Sequence, residues 1–128
     1  MKSWGRLFNL KSAVLVSVPV VVLISLTGCT AERRKSDAEL GLNPPQAAGR
    51  RVFDDRCARC HEAYSSRGKK GPGLAGLFNQ QYLSKSGLPA NDEQVGDIIR
   101  DGRTDMPAYG DVLTQKQMED LMAYLHTL

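Results

Sequence analysis

The chain has 128 residues, 17 basic and 14 acidic side chains and a formal charge of +3, which leaves room for one small domain and excludes a repeat array. Three cysteines, Cys29, Cys57 and Cys60, are an odd number and exclude a simple paired-disulfide framework. The positive balance does not indicate a nucleic-acid partner, because Lys2, Arg6 and Lys11 lie in an N-terminal address segment; without these three, 14 basic residues face 14 acidic ones.

Residues 1–11 carry three positive charges and no negative one, and residues 12–26 (SAVLVSVPVVVLISL) form an uncharged, mostly apolar run. At about 15 residues this run is short for a bilayer span, which needs roughly 20. It suits the apolar region of a secretory signal. Leu26-Thr27-Gly28-Cys29 then resembles the lipobox of bacterial lipoproteins, which implies cleavage after residue 28 and lipidation of Cys29. An uncut signal anchor is the alternative. The expected division is therefore a signal peptide over 1–28, a membrane-proximal linker over 29–46 and a folded domain over 47–128. Within the linker, Pro44-Pro45 is expected to stiffen an extended chain, and Arg33-Arg34-Lys35 is suited to contact with anionic headgroups.

Helical spacing of Gly49, Val52, Phe53 and Cys57 predicts a helix over 47–58. Cys57-Ala58-Arg59-Cys60-His61 follows at once. Two thiols at this spacing can each add across one vinyl group of a haem, and the adjacent histidine then reaches the iron as proximal ligand. A thioredoxin-like motif would need a βαβ setting. A zinc site would need more ligands, yet the one other histidine, His126, lies far away in the sequence. A disulfide would leave His61 unexplained. Further on, Asn91 with Gln94 predicts a capped helix over 91–101, with Gly102 expected as a left-handed cap after Asp101. Thr114 with Gln117 predicts another over 115–127, with Met118, Leu121, Met122, Tyr124 and Leu125 on its apolar face. His126 is expected to be exposed near that helix's C-terminus.

The order C-x-x-C-H, Gly71-Pro72-Gly73-Leu74, helix, Met106-Pro107, closing helix resembles the class I c-type cytochromes over residues 47–128. The resemblance implies an all-α cytochrome c fold, with three to five helices around one covalently bound haem c and crossed N- and C-terminal helices. Gly49 would allow close approach by Tyr124. It also implies that the Pro72 carbonyl accepts a hydrogen bond from His61 and that Leu74 packs on the haem. Met106 is the expected distal ligand, since Pro107 keeps it out of the α region and Met118 and Met122 read as helix packing. The sole tryptophan, Trp4, precedes the domain, so Tyr64, Tyr82, Arg67 or Lys69 are the residues left to meet a haem propionate. Lys69-Lys70 and Arg50-Arg51 suit either a docking patch or plain solvated charge, and solvated charge is the reading taken.

These readings converge on a non-enzymatic carrier of single electrons, exported to the periplasm or another extracytoplasmic face and lipid-anchored there. Its expected partners are redox proteins, and no small-molecule substrate is expected. A haem subunit of a larger oxidoreductase, or a haem sensor or enzyme with a displaceable methionine, are the alternatives.

Overall fold

Local sequence chemistry sets the ends of each helix. The structure is a computed structural model that describes residues 34–128; the expected signal segment, Cys29 and the first part of the linker lie outside the described residues. Helix α1 spans Pro44–Arg56, α2 spans Asp92–Asp101 and α3 spans Gln115–Leu125. Among the described residues the extended pairing is confined to two isolated bridges, Tyr82 with Pro89 and Arg103 with Met106.

α1 begins three residues before the expected start. Asn43 and Gln46 form a reciprocal capping box, and Pro44 and Pro45 occupy the first helical positions. Proline is tolerated there because the N–H it lacks would have had no helical partner. The Pro-Pro pair therefore starts a helix instead of stiffening a linker. The boxes differ downstream. Thr114 and Gln117 cap α3 reciprocally, whereas at α2 the Asn91 side chain accepts from the Gln94 amide alone. α3 ends at Leu125, and Thr127 folds back to Tyr124 through a main-chain bond of 2.8 Å.

α1 and α3 cross in direct contact. The crossing is possible because residue 49 has no side chain: a Cβ on Gly49 would sit 1.8 Å from the Asp120 carbonyl oxygen and 2.8 Å from the Tyr124 Cβ. Phe53 and Tyr124 meet beside it with ring centroids 5.5 Å apart. Together with Leu77, Val95, Ile99, Leu121 and Leu125 they form the buried core, each side chain contributing about 1.5–3 kcal/mol by leaving water. The Tyr124 hydroxyl, fully buried, donates to the half-exposed Tyr64 hydroxyl at 3.1 Å. Burial first, and then the Tyr64 bond, push the Tyr124 phenol far above its ordinary value.

The compact unit runs from Lys35 to Leu128, so residues 35–46 of the expected linker belong to the domain. Arg50 is the reason. Its guanidinium is buried on α1, with Nη1 2.6 Å from Asp37 Oδ1 and Nη2 donating to the Lys35 carbonyl at 2.6 Å. Arg50 consequently leaves the docking patch considered for Arg50-Arg51: its charge faces inward. His126 is exposed at the C-cap of α3, as expected, but it is not free of partners. Its ring stacks on Phe78 at 4.0 Å, and its Nε2 lies 2.8 Å from Asp92 Oδ1, which ties the end of α3 to the start of α2.

Candidate functional site

The C-x-x-C-H motif leaves α1 in a tight turn. The Cys57 amide donates to Phe53 as the C-cap of α1, and the amides of Cys60 and His61 both donate to the Cys57 carbonyl at 3.0 Å. Neither Cys57 nor Cys60 is in a disulfide, and both are partly buried. Burial, reinforced by the charges of Asp54 and Cys60, pushes the Cys57 thiol up to about 11, so it is a neutral thiol at pH 7. Among the described residues, no three His, Cys, Asp or Glu side chains come together as a metal-binding group.

The segment at 71–74 is laced to the motif. Gly71 donates to the Cys60 carbonyl and Leu74 to the Glu62 carbonyl, each at 2.8 Å. His61 Nδ1 thereby lies 2.9 Å from the Pro72 carbonyl oxygen. A carbonyl only accepts, so Nδ1 carries a proton, and in the neutral ring Nε2 is the nitrogen with the lone pair that binds a metal. Gly71 is packed against the ring, and a Cβ there would come 2.4 Å from His61 Cε1. Gly71→Ala is expected to displace the imidazole and lower the yield of haem-loaded protein, measured as absorbance at the Soret band per polypeptide. A yield equal to wild type would show the ring is free to move.

Met106 lies in the loop after α2. Gly102 starts this loop with φ +72° and ψ 178°, a positive-φ extended conformation open to glycine and not the left-handed helical cap expected. A Cβ at Gly102 would meet the Met106 carbonyl oxygen at 2.6 Å. The chain then folds back: Arg103 and Met106 form a bridge, Tyr109 donates to the Ile99 carbonyl at 2.9 Å and Gly110 to the Arg100 carbonyl at 3.0 Å. The Tyr109 hydroxyl reaches across to the Arg56 carbonyl at 3.1 Å. Its phenol is raised above the ordinary value, first by burial and then by the neighbouring Cys57 and Cys60. The Met106 loop and the cysteine motif, some fifty positions apart, are thus neighbours. Sequence reading missed Tyr109; the only signal was an aromatic three residues after the methionine.

The apolar surround fits a haem. α3 packs along α1 and also touches α2. Leu74, Phe78, Leu83, Met106, Tyr109 and Leu113 pack on the core yet stay only partly covered. Half-covered apolar side chains around the core, together with two free thiols and an oriented imidazole, match the demands of a large flat apolar group carrying a metal. Of the residues considered for a propionate, Tyr64 is bonded to Tyr124. Lys69 is engaged with Glu62 at 2.8 Å and the Ala58 carbonyl at 3.0 Å. Arg67 and Tyr82 are exposed.

Comparison with known proteins agrees with this geometry. Residues 44–125 match the family described as cytochrome c oxidase, cbb3-type, subunit III, a match that opens at the first residue of α1. The chain is 32% identical over 89 residues to a cytochrome c6 of Rippkaea orientalis and 30% identical over 89 residues to a cytochrome c6-like protein of Nostoc sp.. Each match covers 66% of this chain and 76% of the relative. No solved structure gives a significant match. The helical fold, the family match and these relatives together place the chain among the class I monohaem c-type cytochromes, electron carriers with a covalently bound haem c and redox proteins as partners.

Proposed function

We propose that this cytochrome is exported, lipid-anchored at Cys29 and works as a membrane-tethered one-electron carrier, with Cys57 and Cys60 as the thioether attachments and His61 and Met106 as axial ligands. The observation that carries the ligand assignment is the His61 Nδ1 to Pro72 hydrogen bond of 2.9 Å, which leaves Nε2 as the coordinating nitrogen. That bond orients the ring and raises its basicity as a ligand. Haem c, when bound, supplies a one-electron iron couple. Gly102 and Tyr109 fix the loop that would present Met106 to the iron. A thioether is a soft, weak donor that favours ferrous iron and so raises the potential. Leu74 adds apolar cover. Among the described residues no helix is long and apolar enough to cross a membrane, and a multiply acylated N-terminus suffices for stable anchoring.

Absorption spectra of oxidised and reduced protein test the assignment. A c-type spectrum resistant to acidic acetone, with the methionine–iron charge-transfer band, is expected; pigment extracted by the solvent would remove Cys57 and Cys60 from their role. Slow carbon monoxide binding by the ferrous protein is expected of a closed site, and fast binding at neutral pH would favour a sensor or enzyme. Cys29→Ser is expected to move the protein from the membrane to the soluble fraction, and retention on the membrane would favour an uncut anchor. A second reading, a haem subunit within a larger oxidoreductase, is favoured by the description of the matched family as an oxidase subunit. Co-purification of a catalytic partner from detergent would select it.

A further inference from the structure

Arg50 is a buried cation that the haem site does not use. Its side chain is 7% exposed, and its guanidinium is held from upstream of α1. Nη1 meets Asp37 Oδ1 and Nη2 donates to the Lys35 carbonyl, each at 2.6 Å, while Nε is buried without a hydrogen-bond partner. The held segment is itself folded. The amides of Leu40, Gly41 and Leu42 donate to the carbonyls of Ser36, Ala38 and Asp37 at 3.1, 3.1 and 3.0 Å. The Ser36 amide and hydroxyl both donate to Glu39 Oε2 at 2.7 Å, and Leu42 packs on the core. Freeing this arm would strand a buried guanidinium, which is strongly unfavourable. Residues 35–43 are therefore part of the folded body, and five residues, 30–34, stand between them and Cys29.

We propose that Arg50 is a positioning residue that sets the reach of this carrier: it locks residues 35–43 onto the domain, leaves only residues 30–34 as the leash to a lipidated Cys29, and so confines electron exchange to redox proteins of the same membrane whose electron port stands close to the bilayer surface. The proposal deepens the lipid-anchored reading and rests on it. Covalent geometry supplies the scale. An extended chain from Cys29 to Lys35 reaches about 20 Å, whereas with the arm released the chain from Cys29 to Pro44 reaches about 50 Å. Effective concentration at an anchored partner falls roughly as the −3/2 power of tether length. By that relation the locked arm favours encounter with a partner in the same bilayer by about fourfold. A partner dissolved in the aqueous compartment is met at the same rate with either tether.

The test uses full-length ferrous holoprotein in phosphatidylcholine vesicles and two one-electron acceptors. One is a ferrocenium linked to a lipid headgroup of the same vesicle, which becomes ferrocene; the other is soluble ferricyanide, which becomes ferrocyanide. A nine-residue Gly-Ser spacer inserted between Arg34 and Lys35 leaves the fold untouched and is expected to slow oxidation by the lipid-linked acceptor about threefold or more, with ferricyanide unchanged. Arg50→Met removes both hydrogen bonds without leaving a buried charge. It is expected to give the same selective slowing, together with fast hydrogen exchange at Leu40 and Leu42 while the amides of α3 stay protected. A spacer that leaves the lipid-linked rate unchanged, or slows both acceptors equally, would overturn the proposal. So would fast exchange at Leu40 and Leu42 in the unaltered protein. The mass of the purified protein separates the two readings: acylated Cys29 with an unprotected arm removes this inference alone, whereas Cys29 without acyl chains removes the anchor, and the limit on reach with it.

Discussion

Met106→Ala lowers the reduction potential, on the order of 0.1 V or more within the roughly 0.8 V range that axial ligands command, and opens the iron to external ligands. The expectation follows from how the loop is held. Gly102 allows the turn, the Arg103–Met106 bridge closes it, and Tyr109 pins it to the Arg56 carbonyl beside Cys57. Truncating the thioether leaves this framework in place, since all these contacts are made by other residues or by main chain. Loss of the soft donor then removes the preference for ferrous iron. Redox titration with carbon monoxide binding as a second readout measures both effects. An unchanged potential and a site still closed to carbon monoxide would transfer the distal role to another residue, Met118 or Met122 on α3 being next to examine. Tyr109→Phe removes one hydrogen bond, about 1 kcal/mol, and is expected to loosen methionine ligation without abolishing it.

Gly49→Ala has the largest expected effect on stability. Helix propensity alone would make the change favourable by up to about 1 kcal/mol. The added Cβ would however lie 1.8 Å from the Asp120 carbonyl oxygen and 2.4 Å from its carbon. Both are backbone atoms of a helix, so no side chain can swing aside, and α1 must part from α3 at the point where Phe53 and Tyr124 pack. Overpacking of this kind costs about 3 kcal/mol, at the upper end of its usual range, against a total stability of roughly 5–15 kcal/mol. The clash outweighs the propensity gain. Thermal unfolding of the holoprotein should show Tm falling by more than about 10 °C. A Tm equal to or above wild type would mean that the crossing has slack.

Residues whose role follows from spacing along one stretch of chain were legible. Cys57, Cys60 and His61 announce haem attachment because the chemistry acts within five consecutive positions, and the capped helices announce themselves because a capping side chain reaches only three residues. Pro44-Pro45 misled, since proline serves both extended chain and the first turn of a helix, and only the Asn43–Gln46 box decides between them. The buried Arg50 was also illegible: on a helix surface, arginine normally means solvated charge, and its partners are supplied by a turn 13 and 15 residues upstream.

By itself the sequence determined the covalent chemistry of the haem motif, the all-α class and the order of its segments, because these depend on local spacing. Only the tertiary structure decided which nitrogen of His61 faces the Pro72 carbonyl, that Tyr109 joins the Met106 loop to the end of α1, that Arg50 faces inward, and that Lys70 and Lys85 share a cleft. Each of these is a contact between positions separated by many residues of chain, and such a contact is fixed by how the helices pack rather than by the pattern of any one segment.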